Sequence, residues 1–372
     1  MQREIGSYFW INPNTKVVSE SIVSPEKFNC KGSDYVWLSS GRAAITYILD
    51  SISERNPNIE KIALLPSYTC HTVIEPFFRN QYTVHFIPIH EKMNIYAQEL
   101  IKIARKTNAK VILLHNYFGF NTLLGCDNVL KILRNEGVII IEDRTQCLYS
   151  KFPPLSADYY VGSIRKWIGV PDGGFAMCKK GSFTKKPYKS DLKMESTRVA
   201  ASIDKYKYLY ENIGSKEEYI KKYKTSDNML AKQKNFYAIG SCSIKMQAAL
   251  DYDELTIKRR SNYNVLLSGL RTCKAVIPIF KVLPEDVTPL FFPLWISDNR
   301  QAFQEKLIQA EIYAPIIWPK SKLISCEYHE TEEMYKHILC IPIDQRYNEE
   351  DMNRIVDEIC VFQLKNKRYK NE

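Results

Sequence analysis

The run Ile139-Ile140-Ile141-Glu142-Asp143-Arg144-Thr145-Gln146-Cys147 sets a carboxylate, Asp143, at the end of an apolar, strand-forming stretch. Further on, Gly162-Ser163-Ile164-Arg165-Lys166 places an amine just after a second such stretch, and Asp172-Gly173-Gly174 closes it with a turn. An amine can form an imine with an aldehyde, and a carboxylate can keep a pyridine nitrogen protonated. Earlier, Ser39-Ser40-Gly41-Arg42-Ala43-Ala44 runs from a turn into a helix, whose free N–H groups and macrodipole suit a phosphate. Ser163 could add a hydroxyl to that phosphate. An amine, a ring-nitrogen partner and a phosphate cradle are what pyridoxal phosphate chemistry requires.

Each part alone also has an ordinary reading. A strand-end aspartate can bind magnesium or cap the next helix, an Arg-Lys pair can be solvated, and a Ser-Gly helix start can be a plain N-cap. Trp167-Ile168 and the turn Pro171-Asp172-Gly173-Gly174 set Lys166 in an apolar, tightly folded context, where burial lowers an amine's proton affinity.

Elements that could position these residues follow from the pattern. Residues 33 to 180 alternate β-rich apolar runs with amphipathic stretches, predicting a parallel sheet covered by helices. The strands expected are Lys61 to Leu65, Tyr82 to Pro88, Lys110 to His115, Gly137 to Glu142, Tyr159 to Ser163 and Phe175 to Cys178. Helices are expected over Gly41 to Ile52 and Leu123 to Leu133. Asp143 then lies at the carboxyl end of a central strand, where open α/β sheets bind ligands. The Lys/Tyr-rich stretch from 182 to 237 reads as helical. One long helix is expected from Ser241 to Ser268, followed by a strand (Pro289 to Ile296), a helix (Arg300 to Ala310), a strand (Ile338 to Pro342) and a final helix (Glu349 to Phe362) with acids in its first turn.

The whole chain sets bounds. At 372 residues, with 45% apolar and 25% charged residues, it is long enough for two packed units. It has no membrane-length apolar run, and the start Met1 to Gly6 lacks a signal-peptide pattern, so a soluble cytoplasmic protein is expected. Its ten cysteines and six histidines form no clustered metal-ligand set, and reduced, mostly buried thiols are expected. The net charge of +10 concentrates between Lys179 and Lys234 and in the tail Lys365 to Lys370. Without a nucleic-acid recognition motif, this reads as a solvated basic face or as attraction for a phosphorylated small substrate.

In their order, these parts resemble the DegT/DnrJ/EryC1/StrS aminotransferases, the sugar aminotransferase group of fold-type I pyridoxal phosphate enzymes. The resemblance runs through Ser40-Gly41-Arg42-Ala43-Ala44, Leu65-Pro66-Ser67-Tyr68-Thr69, Leu114-His115-Asn116-Tyr117-Phe118-Gly119, Glu142-Asp143 with Gln146, and Lys166 with Gly173-Gly174. It continues through Met246-Gln247-Ala248-Ala249-Leu250 and Leu339-Cys340-Ile341-Pro342, covering most of the chain. It implies Lys166 as the Schiff-base lysine and Asp143 as the pyridine-nitrogen partner. It also implies Gln146 as a second ring contact near the phenolic oxygen, and Ser40, Gly41 and Arg42 at the phosphate. The implied fold is α/β, type I: a large domain over residues 1–240 with a mixed, mostly parallel seven-stranded sheet between helices, and a small α+β C-terminal domain over residues 241–372. A homodimer whose active sites borrow residues from each other belongs to that fold.

The chain departs from the family at four places, one being that the Lys/Tyr-rich stretch from 182 to 237 is longer than usual. Cys70 stands where the family carries an aromatic residue on the pyridine ring, which leaves Tyr68, His71, Tyr117 or a smaller group to take that place. The family's serine five residues before the lysine is Val161, while Ser163 occupies the position used by other fold-type I aminotransferases. An Asn-Tyr-Arg stretch that reaches the partner's site reads Gly240-Ser241-Cys242. The implied activity is transfer of an amino group, with glutamate as the expected donor, to a nucleotide-linked keto sugar for polysaccharide biosynthesis. Two alternatives are another pyridoxal phosphate reaction, such as elimination or dehydration, and a non-catalytic regulatory or interaction protein of the same fold.

Overall fold

The structure, a computed structural model, describes residues 4–14, 22–274 and 276–369, with side chains as far as residue 361. Met1 to Arg3 and the side chains of the basic tail lie outside the described residues. Seven strands form the main sheet. From edge to edge they are Asp34–Leu38, Gly174–Cys178, Tyr159–Ser163, Ile139–Asp143, Val111–His115, Ile62–Pro66 and Thr83–Ile87. Five of them, from Tyr159–Ser163 to Thr83–Ile87, run parallel, while Gly174–Cys178 is antiparallel to both its neighbours. The reason is in their side chains. Val111–His115 and Tyr159–Ser163 are buried throughout, as strands covered on both faces by helices must be.

The six strands expected between residues 33 and 180 all form, within two residues of their expected ends. The seventh, Asp34–Leu38, was not expected. It is an edge strand whose apolar run, Tyr35-Val36-Trp37-Leu38, is short and leads straight into Ser39-Ser40-Gly41, with Tyr35 exposed and Trp37 and Leu38 buried. Register places the chemistry on one edge. His115 pairs with Asp143, Asp143 with Val161, and Ser163 with Gly174, which in turn pairs with Leu38. The helix Gly41–Arg55 starts directly above that row.

Two expectations need correction. The single helix expected over Ser241 to Ser268 is two, Ser241–Ala248 and Tyr252–Gly269, because Asp251 caps the second by accepting from the N–H groups of Asp253 (3.0 Å) and Glu254 (2.9 Å). The basic stretch is not simply a solvated face. It forms helices Leu192–Tyr210 and Lys216–Lys232, packed together around Ala201, Tyr219 and Tyr223. Lys205 within it is fully buried, donates to the Tyr8 carbonyl (2.9 Å) and pairs with Glu4 (3.4 Å).

The C-terminal part carries a three-stranded antiparallel sheet with Phe292–Ile296 between Val276–Pro278 and Ile338–Ile341. The strand Val276–Pro278 and the helix His329–His337 were not expected. Ile5–Gly6 pairs with Ile312–Tyr313, tying the N-terminal segment to this part. Among the described residues no helix is long and apolar enough to cross a membrane.

Gly174 sets how closely the helix start can approach the sheet. A Cβ there would fall 2.3 Å from the Ser40 carbonyl carbon and 2.5 Å from the Gly41 nitrogen, both backbone atoms that cannot swing aside. Gly174→Ala should therefore lower stability by about 2 kcal/mol or more, read as a lower urea midpoint at unchanged slope.

Candidate active site

Asp143 ends its strand and is only 5% exposed. Its Oδ1 accepts the N–H of Thr145 at 2.8 Å. Burial, partly offset by that bond, raises its carboxyl to about 6. Strand alternation sends the preceding Glu142 to the opposite side, where it pairs with Arg144 (2.8 Å) and accepts the Leu155 N–H (2.7 Å). Glu142 is thus a structural partner, and the described residues bring no group of three metal-ligating side chains together.

Lys166 closes a short 3₁₀ turn, Ile164–Lys166, after the strand Tyr159–Ser163. The next residue, Trp167, is fully buried, and its indole N–H donates to the Thr145 carbonyl at 2.7 Å. Arg259 lies over the Trp167 ring (4.8 Å) and donates to the Trp167 carbonyl (3.2 Å). Lys166 itself makes no ion pair or hydrogen bond among the described residues and opens onto a cleft of about 890 Å³. The surrounding protein desolvates its ammonium and lowers its pKa; Arg165 and Arg198 push the same way, while Cys70 and Asp227 oppose.

The other expected residues line the same cleft: Ser40, Gly41, Arg42, Cys70, Gln146 and Ser163. Ser40 is a true N-cap, its hydroxyl accepting the Ala43 N–H at 3.1 Å. That leaves the N–H groups of Gly41 and Arg42 without an acceptor among the described residues. A Cβ on Gly41 would sit 3.3 Å from the Ser163 Cβ, so glycine keeps this space open to a ligand. The Ser163 hydroxyl donates to the Gly173 carbonyl (3.2 Å). Gln146 uses its amide oxygen on the Phe118 N–H (2.6 Å), leaving its NH₂ available. The Arg42 guanidinium turns to the Ala231 carbonyl (3.2 Å) and Glu75 (3.6 Å), so its contribution at the helix start is its backbone.

Cys70 is half-buried, with its sulfur 3.1 Å from the Thr72 hydroxyl. The aromatic residues expected to replace it are engaged elsewhere. Tyr117 donates to the Tyr68 carbonyl (2.6 Å), Tyr68 packs on Trp318 and Tyr335, and His71 bonds Ser321 (2.9 Å). None of the three lines the cleft, whereas His115 and Trp318 do. Burial pushes the His115 imidazole down to about 4, so it is neutral at pH 7; its Nε2 meets the Thr69 hydroxyl at 2.8 Å, and its Nδ1 has no partner among the described residues.

Sequence reasoning also missed Arg198, Asp227 and Tyr8, which reach the cleft from helices 192–210 and 216–232 and from the N-terminal segment. Only the excess of tyrosines in the 182–237 stretch hinted at them. The segment Gly240-Ser241-Cys242 is folded onto its own chain. The Gly240 N–H donates to Asp172 (2.9 Å), the Ser243 hydroxyl donates to the same carboxyl, and the Cys242 N–H donates to Glu195 (2.8 Å). Burial lifts Asp172 to about 7.

With this geometry the fold can be compared with known proteins. No family model matches the chain, and no curated protein sequence matches it. Its fold does match solved structures, among them three at low identity. PseC of Helicobacter pylori, an aminotransferase involved in pseudaminic acid biosynthesis, aligns at 12% identity over 98% of this chain and 100% of its own, with a TM-score of 0.68. The aminotransferase TlmJ of Streptoalloteichus hindustanus aligns at 15% identity over 90% and 87%, with a TM-score of 0.64. Spr1654 of Streptococcus pneumoniae, solved in its PLP form, aligns at 13% identity over 97% and 93%, also at 0.64. The chain has the type I fold of pyridoxal phosphate-dependent transferases, as expected, and the identities are too low to carry more than the fold.

Raised carboxyls bind protons more tightly in the folded chain than in the unfolded one. The contribution of these two carboxyls to the stability of the ligand-free protein therefore falls as pH rises from about 4, the ordinary aspartate value, towards the folded values of about 6 for Asp143 and about 7 for Asp172, while buried His115, lowered to about 4, contributes in the opposite sense. Asp143→Asn keeps an acceptor for Thr145 and never ionises. It should be more stable than the parent by roughly 2–3 kcal/mol at pH 8 and equal to it at pH 3.5 in urea titrations.

Proposed function

We propose that the chain is a pyridoxal phosphate-dependent aminotransferase that moves an amino group from glutamate to a keto sugar carried on a nucleotide. The observation that carries this reading is the meeting, in one cleft, of an unpaired Lys166, a strand-end Asp143 and an uncapped pair of helix-start amides. The residues fit the cofactor. The amides of Gly41 and Arg42 would hold its phosphate, with Ser163 beside them, and Gln146 would offer its NH₂ to the ring oxygen. Asp143, destabilised as an anion by burial, would be relieved by the positive charge of a protonated ring nitrogen. Cys70 would line the cleft beside the ring.

When bound, pyridoxal phosphate supplies an electron-withdrawing ring that accepts the electron pair left as the donor's α-proton departs. Lys166 would be the amine that attaches the cofactor and gives way to the donor. Its lowered proton affinity leaves more of it neutral, so the freed Nζ can take the donor's α-proton and return one in the reverse sense during the second half-reaction. Thr145 and Trp167 hold that amine in register with Asp143. An intact Lys166 counts against dehydration, and an intact cleft against a purely regulatory role. We further infer a homodimer and a division into residues 1–240 and 241–372.

Borohydride reduction of the protein loaded with pyridoxal phosphate should add the cofactor's mass to the peptide containing Lys166. Lys166→Ala should lose both half-reactions by about a thousandfold or more. Transamination retained in that variant would remove the reading, and a panel of keto sugar nucleotides would identify the acceptor.

A further inference from the structure

One wall of the cleft carries charge that the proposed chemistry does not use. Arg198, on the helix Leu192–Tyr210, is 5% exposed and donates to Oδ1 of Asp227 on the helix Lys216–Lys232. Arg165, the residue before Lys166, donates to the same oxygen at 3.3 Å. The other oxygen, Oδ2, accepts the Tyr8 hydroxyl at 3.2 Å. Two guanidiniums thus share one carboxylate, and one positive charge is left over. The Nε groups of both arginines are buried without an acceptor among the described residues.

A buried cationic donor without an acceptor is expensive. Folding has nevertheless built this site with care. The Arg198 guanidinium lies over the rings of Tyr8 (5.7 Å) and Tyr223 (5.2 Å), which stack on each other at 4.0 Å. Tyr223 also donates to the carbonyl of Phe9, and to the Ser202 hydroxyl at 3.0 Å, so the N-terminal segment and both helices fix the same group. Arginine suits planar oxyanions because its donors form a rigid fork. Both arginines, Asp227 and Tyr8 line the cleft that Lys166 faces.

We propose that Arg165 and Arg198, held together over Asp227 by the helical insertion, form a binding site for an oxyanion of the substrate, a carboxylate or a phosphate. A donor amino acid brings a carboxylate next to its amino group, and a nucleotide-linked sugar brings phosphates, so either half-reaction could supply it. Which anion arrives rests on the aminotransferase reading; the existence of the site does not.

Two probes separate the sources: sodium pyrophosphate binding by calorimetry, and the KM for L-glutamate in the donor half-reaction, both with protein saturated with pyridoxal phosphate. In Arg165→Gln and Arg198→Gln, affinity for at least one probe should fall about tenfold or more. Asp227→Asn, which removes the carboxylate competing for the pair, should strengthen the same probe. A change confined to pyrophosphate assigns the acceptor's phosphates, one confined to glutamate assigns the donor's carboxylate, and a change in both assigns one site used in turn. Arg198→Lys should recover part of the loss, and Arg165→Gln carries the test if Arg198→Gln does not fold. Unchanged affinities in variants that melt like the parent would overturn the proposal. So would an Asp227→Asn loss matching those of the arginine variants, which would make the trio structural. Failure of the aminotransferase reading would show separately, as no cofactor absorbance while pyrophosphate still distinguishes the arginine variants.

Discussion

The backbone of Thr145 joins the acid to the amine. Its N–H donates to Asp143 at 2.8 Å, and its carbonyl accepts the indole of Trp167, the residue after Lys166, at 2.7 Å. Among the described residues neither Asp143 nor Lys166 has an ion-pair partner, and desolvation by the surrounding protein moves both towards neutrality, the carboxyl upward and the amine downward. Two groups left so poorly compensated would relax apart or towards solvent unless the backbone held them. Fully buried Trp167, clamped by Arg259, and a seven-stranded sheet supply that restraint. The fold is in this sense a frame that sets one buried carboxyl and one unpaired amine on the wall of the same cleft.

The parallel core was legible because each of its strands is an apolar run with its own local signal. The acid at the end of Ile139–Asp143 and the lysine after Tyr159–Ser163 could be placed because strand ends set the edge on which they fall. What escaped depends on partners distant in sequence. Asp34–Leu38 is an edge strand fixed in place by its pairing with Gly174–Cys178, far along the chain. The break at Asp251 lies inside a stretch of strong helix formers, where a capping aspartate looks like any other surface acid. The surroundings of Cys70 were left open in the sequence for a similar reason: Tyr68 and Tyr117 sit near it in the motif but turn into the core, while Trp318 arrives from far along the chain.

The basic insertion shows why charge counted along a sequence is a weak guide. Its lysines looked like a solvated face, yet Lys205 is fully buried, is pushed down to about 7 by desolvation, and fastens the N-terminal segment through Glu4 and Tyr8. Lys216 closes the same network from the next helix, pairing with Glu4 (2.7 Å) and Glu311 (3.2 Å). These contacts are structural, although Glu4 Oε2 is left with the Lys205 ion pair and no hydrogen bond. They hold Tyr8 where its ring can lie under Arg198.

The contrast within that insertion separates two uses of buried charge. Around Lys205 and Lys216 the acids Glu4 and Glu311 match the cations in number, so the cluster closes on itself and stabilises the join between the N-terminal segment, the insertion and the C-terminal part. Around Asp227, among the described residues, two arginines pair with one acid, neither Nε has an acceptor, and all three side chains line the cleft. A purely structural cluster gains nothing from such an imbalance, because a further carboxylate on the N-terminal segment would pair the spare charge as Glu4 does for Lys205. The imbalance has a physical reason only if its missing anion comes and goes.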